Sequence, residues 1–120
     1  MKNPNIYIDN AIEILTEKAG KNDGFYTHKK YVQMAGNTLW NGVSEALNEK
    51  YPILKKAKGR PDITKYQTLV ANENKKMLNH LNTGYNYMHL LMGYDGDLSY
   101  DTSRKAIEEA RTLIEWASQK

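Results

Sequence analysis

Residues 27–50 read THKKYVQMAGNTLWNGVSEALNEK. Apolar side chains recur at Tyr31/Val32, Ala35, Leu39, Val43 and Ala46/Leu47, at spacings that place them on one face of an α-helix. Thr27 stands where an N-cap belongs. The Tyr51-Pro52 step ends the pattern, because a proline disfavours helical geometry in the residue before it. Gly36 and Gly42 fall inside the helix, where each costs about 1 kcal/mol relative to alanine. Their presence predicts close approach of a neighbouring helix or aromatic ring to bare backbone at these points.

The segments on either side repeat the helical reading. Upstream, Asn3 caps a helix that opens on Pro4, where the missing N–H costs nothing, and carries Ile8, Ala11, Ile12, Leu15 and Ala19 on one stripe. Gly20 is placed for a left-handed stop. Downstream, Asp62 caps a third pattern of Tyr66, Leu69/Val70, Glu73, Met77, Leu81, Tyr85, Met88 and Leu91/Met92. Asn82-Thr83-Gly84 interrupts it, so the expectation is one long kinked helix or two joined at Gly84, ending in the turn at 93–96. A last helix starts between Ser99 and Ser103, with the point after Asp101 favoured, and carries Ile107, Ala110, Leu113/Ile114 and Ala117 on its stripe and Trp116 beside it. No stretch alternates as a strand does, and no internal repeat is visible. The expected architecture is all-α: a single domain over 1–120, a bundle of four to five mostly antiparallel helices.

The totals narrow the chemistry. With 17 basic and 14 acidic residues the net charge is +3 and the pI about 9.0, which permits nucleic-acid binding without favouring it. The absence of cysteine removes disulfides, thiolate metal sites and cysteine nucleophiles. Mean hydropathy is −0.76 and no 18-residue apolar run occurs, so no membrane partner is expected. With no leader-like N-terminus either, the expected location is cytoplasmic. Nine tyrosines against one phenylalanine mean that most aromatic surface carries a polar tip, suited to core edges and contact surfaces.

The richest candidate for function is 84–101, GYNYMHLLMGYDGDLSYD, with four tyrosines, one histidine and three aspartates. Its aspartates alternate as at the start of a calcium loop, but Tyr100 holds the place of the obligatory glycine and Ala106 that of the bidentate glutamate. A tight turn followed by a helix cap is the plainer reading. His80 and His89 are nine apart, on opposite faces of a continuous helix, and no His-x3-His or Glu-x-x-His occurs, so no metal site is expected. Glu73, Lys76 and His80 share a helix face and form a weak acid–base candidate. A ligand pocket is expected, if anywhere, from Trp40, Tyr85, His89, Tyr94 and Asp95. A basic patch of Lys50, Lys55, Lys56, Lys58 and Arg60 occupies the connector after the second helix and is the candidate phosphate or nucleic-acid contact. Asparagine is unusually frequent, at twelve.

Several segments carry a family likeness: Glu17-Lys18-Ala19-Gly20-Lys21, Asp23-Gly24-Phe25-Tyr26, the run 29–36 (KKYVQMAG), Tyr85-Asn86-Tyr87-Met88-His89 and Gly93-Tyr94-Asp95-Gly96. Together they resemble a small uncharacterised all-helical family of Bacteroidetes-type bacteria, over most of the chain. The resemblance implies an all-helical domain and supplies no catalytic residues. A looser, fold-level likeness is to HEPN-type helical bundles, whose ribonuclease motif sets a histidine four to six residues after an arginine. No arginine here has that histidine; Lys75 and His80 keep the spacing with a different cation.

The residues therefore point away from an enzyme, with no catalytic set and no cofactor. They point toward a helical interaction module that self-associates, as a dimer. The alternatives are a HEPN-like nucleic-acid or nucleotide binder using the 50–60 connector, and a small-ligand pocket around His89 and the 93–97 turn.

Overall fold

The computed structural model describes residues 3–56 and 61–119 and, at Lys56, the backbone alone. Within them the chain forms α1 (Asn5–Glu17), α2 (Lys29–Lys50), a 3-10 turn (Pro52–Lys56), α3 (Ile63–Glu73), α4 (Lys75–Tyr85), a π-helical segment (Asn86–Tyr94) and α5 (Tyr100–Ala117). The all-α expectation holds. Among the described residues no helix is long and apolar enough to cross a membrane.

The local signals explain most boundaries. Pro4 takes the N-cap position of α1 one residue later than expected, while the Asn3 side chain before it accepts from the Asn5 N–H at 3.0 Å; Gly20 turns left-handed at φ +74° after α1. The Asp62 side chain caps α3 by accepting from Lys65 N. Ser99 caps α5 by accepting from Asp101 N, and the Asp97 carboxylate takes the Ser99 N–H and the Thr102 hydroxyl proton. The aspartates thus organise a turn and a helix start. Thr27 does not cap α2: His28 occupies that position, and the Thr27 hydroxyl donates to the Ala19 carbonyl instead.

The third pattern breaks elsewhere than the sequence suggests. Asn82-Thr83-Gly84 stays helical, and the break falls at Asn74, which is extended (φ −158°, ψ 104°) and caps α4 by accepting from Met77 N. Gly84 is kept bare by packing: a Cβ there would lie 2.8 Å from Met88 Cε and 3.0 Å from Leu113 Cδ1. The chain then widens into the π-helix, whose exit is marked by the i→i−5 bond from Asp95 N to Leu90 O. Tyr85, His89 and Gly93, which face α2, are spaced by four, a spacing the wider helix keeps on one side.

α2 is the central element, packed against α1, α5, the π-helical segment and the 3-10 turn. Its two glycines mark the tightest crossings. A Cβ on Gly36 would meet Met88 O and Met92 Cβ at 2.5 Å, and one on Gly42 would meet Tyr7 Cβ at 2.7 Å. The core joins Ile8, Ala11 and Leu15 of α1 to Val32, Leu39 and Val43 of α2, with Leu81, Met88, Met92, Leu113 and Ile114 closing it. Two connectors are stitched together at one end: Phe25 bridges Ser99, Tyr26 N donates to Leu98 O, and Tyr100 N donates to Gly24 O. Ser103 donates to the Tyr100 carbonyl, so the Tyr26 hydroxyl donates to Ser103 Oγ at 2.8 Å.

Candidate functional site

Three of the five residues expected to form a pocket come together. The Trp40 ring lies 5.0 Å from Tyr85, edge-on, and 6.4 Å from His89, while Tyr85 and His89 stack at 5.0 Å. Tyr66 closes the group edge-on to Trp40 at 6.0 Å and donates its hydroxyl proton to Asn48. Tyr85 at the end of α4 and His89 in the π-helical segment are four residues apart and stack on the side that faces α2. His89 Nδ1 is buried and has no hydrogen-bond partner among the described residues. Such a group costs about 1–3 kcal/mol, which marks His89 as the least satisfied position of the core edge. Tyr94 and Asp95 do not join the cluster: both are exposed where the π-helix ends, and Gln33 Nε2 donates to the Tyr94 carbonyl.

The acid–base candidate divides as well. His80 Nδ1 donates to Glu109 Oε2 at 2.8 Å, and Lys105 approaches the other carboxylate oxygen at 3.1 Å. Glu109 is 4% exposed, so α4 and α5 share a buried carboxylate that no motif had indicated. The pairing holds the Lys105 ammonium above its usual pKa, first through the hydrogen bond to Glu109. The signal available in sequence was only a glutamate on the apolar side of α5, about one turn from Ala106 and one from Leu113, in phase with the core.

Glu73 lies elsewhere, at the end of α3. It binds Lys50 at 3.0 Å and accepts the Tyr51 hydroxyl proton at 3.0 Å. The Lys50 ammonium also sits 4.6 Å from the Trp116 ring. The Lys50 hydrogen bond, with that from Tyr51, holds the Glu73 carboxyl below the usual range, while burial and the Glu73 contact push the Tyr51 phenol up. A depressed carboxyl stabilises the fold above its unfolded pKa and ceases to do so as pH falls through the folded value. Acid titration followed by circular dichroism therefore shows stability falling below about pH 4.5. Glu73→Gln flattens part of that limb; an unchanged acid limb would show that the pair contributes nothing.

Of the five basic connector residues, Lys50 is thus held by Glu73, and Lys55 pairs with Glu49 at 2.8 Å. The Lys56 side chain, Lys58 and Arg60 lie outside the described residues. Among the described residues, no group of three or more histidine, aspartate or glutamate side chains is placed to hold a metal ion.

With the helices and their crossings in place, the comparisons are decisive on kinship. The family model described as "Domain of unknown function (DUF5618)" matches residues 1–119. The chain belongs to this family. A solved structure titled as a protein of unknown function from Dyadobacter fermentans is similar, at 39% identity and TM-score 0.89. The match covers 96% of this chain and 90% of that one. No curated protein matches the chain. The Bacteroidetes likeness read from the sequence agrees with that neighbour. The family and its neighbour carry the fold and name no activity.

Proposed function

We propose that the chain is a non-enzymatic interaction module that pairs with a second copy of itself through the outer face of the π-helical segment. The observation that carries this reading is the exposure of two large side chains on that face, Tyr94 at 77% and Leu90 at 39%. Four residues apart, they stand close to one π-turn from each other and share a side of the helix. Exposed Asp95 adjoins them, and exposed Lys29 and Lys30 lie on α2 near the point where Gln33 reaches the Tyr94 carbonyl. An apolar centre with both charges at its rim is what an isologous pair needs, since each patch must complement its own copy.

The polar clusters support the same reading in another way. His80, Glu73, Lys50 and Lys55 are each occupied by partners inside the fold. A HEPN-like contact with nucleic acid would need the 50–60 connector free to meet phosphate, and two of its lysines are already neutralised. Size-exclusion chromatography with light scattering tests the proposal. The expected mass rises with concentration toward twice the 13.8 kDa protomer. Leu90→Glu with Tyr94→Glu restores the protomer at unchanged melting temperature. A wild-type chain that stays monomeric at the highest attainable concentration overturns it.

A further inference from the structure

The positive charge of the chain is concentrated in one place. Residues 18–30 read KAGKNDGFYTHKK and carry four lysines against one aspartate. That excess equals the +3 of the whole chain, since the remainder holds as many acidic residues as basic ones. The fold gathers the stretch where α1 ends and α2 begins. The Ala19 carbonyl receives the Thr27 and His28 N–H groups at 2.9 and 2.8 Å, which sets the end of α1 against the start of α2. Lys18 then reaches the Tyr31 ring from one side of the junction and Lys30 from the other, with their ammoniums 6.0 and 5.6 Å from its centroid. The His28 ring meets the same phenol edge-on at 6.3 Å.

These cations are not neutralised within the fold. Lys18, Lys21, Lys29 and Lys30 are exposed, and none forms an ion pair with a described residue. Lys50, Lys55 and Lys105, by contrast, each hold a glutamate. α2 opens without an acidic residue in its first turn. On the connector stitched alongside, the Asp97 carboxylate is taken up by the Ser99 N–H and the Thr102 hydroxyl. Glu17 and Asp23 are the acidic side chains nearest in sequence, and both stand exposed in water. Like charges gathered around one ring repel each other, and an anionic partner relieves that repulsion.

We propose that this junction binds a single strand of nucleic acid, with its phosphates on the four lysines and a base on the Phe25 ring. Phe25 lies within the basic stretch and is 55% exposed, an open π-face beside the cations. Flexible backbone charge met by lysines, and flat bases met by an aromatic face, are the two halves of single-strand recognition. An acidic peptide would use the lysines and leave the ring idle. A lipid surface would use both, but insertion takes an apolar face of several side chains, and Phe25 is the one exposed large apolar side chain of residues 18–30. The surface is separate from the 50–60 connector, where Lys50 and Lys55 are already paired.

Fluorescence anisotropy on the full chain tests the site, with labelled oligothymidylate and oligouridylate as probes and poly-glutamate and phosphatidylserine vesicles as comparators. The expected result is binding of at least one strand at low salt, with log affinity falling against log salt at a slope of about −3, about 0.7 for each lysine engaged. Lys18→Ala with Lys21→Ala, both exposed, makes the slope shallower by about 1. Lys75→Ala with Lys76→Ala removes the same charge from an exposed part of α4 and leaves the slope as it was. Phe25→Ala weakens the strand about fivefold or more, the worth of one stacked base. The Phe25 bonds to Asn22 are backbone bonds, so that variant keeps its turn. Light scattering on the same variants reads the oligomer, so a loss of binding at unchanged mass belongs to this surface alone. No binding of either strand at low salt overturns the proposal, as does an equal loss from the Lys75 and Lys76 pair. Binding of poly-glutamate as tight as that of the strands, or of vesicles alone, overturns it in favour of an acidic protein or a membrane surface.

Discussion

Truncating Trp40 to alanine is expected to remove about 3–5 kcal/mol of stability. Trp40 is buried on α2 and touches Tyr66, Tyr85 and His89, so its loss opens a cavity bounded by three rings. Against the about 5–15 kcal/mol that holds a typical domain, this leaves a chain close to its unfolding threshold. The comparison is with His89→Phe, which keeps a ring on Tyr85 and removes the unpaired Nδ1; that variant is expected to be neutral or slightly stabilising. Urea unfolding followed by circular dichroism reads both. A Trp40→Ala loss below about 1 kcal/mol would mean that the ring cluster is not packed as described.

Gly36→Val is expected to cost about 3 kcal/mol, at the upper end of overpacking effects. The branched side chain would meet Met88 O and Met92 Cβ, where a Cβ alone comes within 2.5 Å, and Gly93 N at 2.8 Å. Two of these atoms are backbone and cannot swing aside, so the π-helical segment must lift from α2. Valine's better helix propensity than glycine offsets only a few tenths of a kcal/mol. The chain should melt earlier, with the Trp40 emission shifted toward that of a solvated indole. Retention of wild-type stability would place the π-segment away from Gly36.

Much of the fold was legible in the sequence because its signals are local. The stripe of α2, the Gly20 stop, the Pro52 break and the Asp62 cap each act within one helical turn, and each sits where the spacing put it. The break at Asn74 was hidden because the apolar phase runs across it: Val70 and Met77 are seven apart, as they would be in an unbroken helix. Gly84 looked like a break because a glycine demanded by a crossing helix is indistinguishable in sequence from one demanded by a turn. The π-helix packs where Gly36 and Gly93 meet across the bundle, a contact that no local pattern records.

The candidate site divides in the same way. Tyr85 and His89 could be grouped because a spacing of four puts them on one side of a helix, and Trp40 because it lies between Gly36 and Gly42, the glycines that predicted a close crossing. Tyr94 and Asp95 were added by nearness in sequence, and the widened helix carries them outward. The His80–Glu109 contact links positions 29 apart in sequence on separate helices and needed the fold to be seen.

The stitched connectors bear on how quickly the bundle can form. Most helical bundles fold fast because their contacts are local. Here the Tyr26–Ser103 bond joins positions 77 apart, and closing a flexible loop of that length costs roughly 4 kcal/mol of chain entropy. We expect this contact to form only after α2 through α5 have drawn the ends together. Refolding should therefore be slower than helix content alone suggests, and Tyr26→Phe should speed unfolding while leaving the refolding rate nearly unchanged.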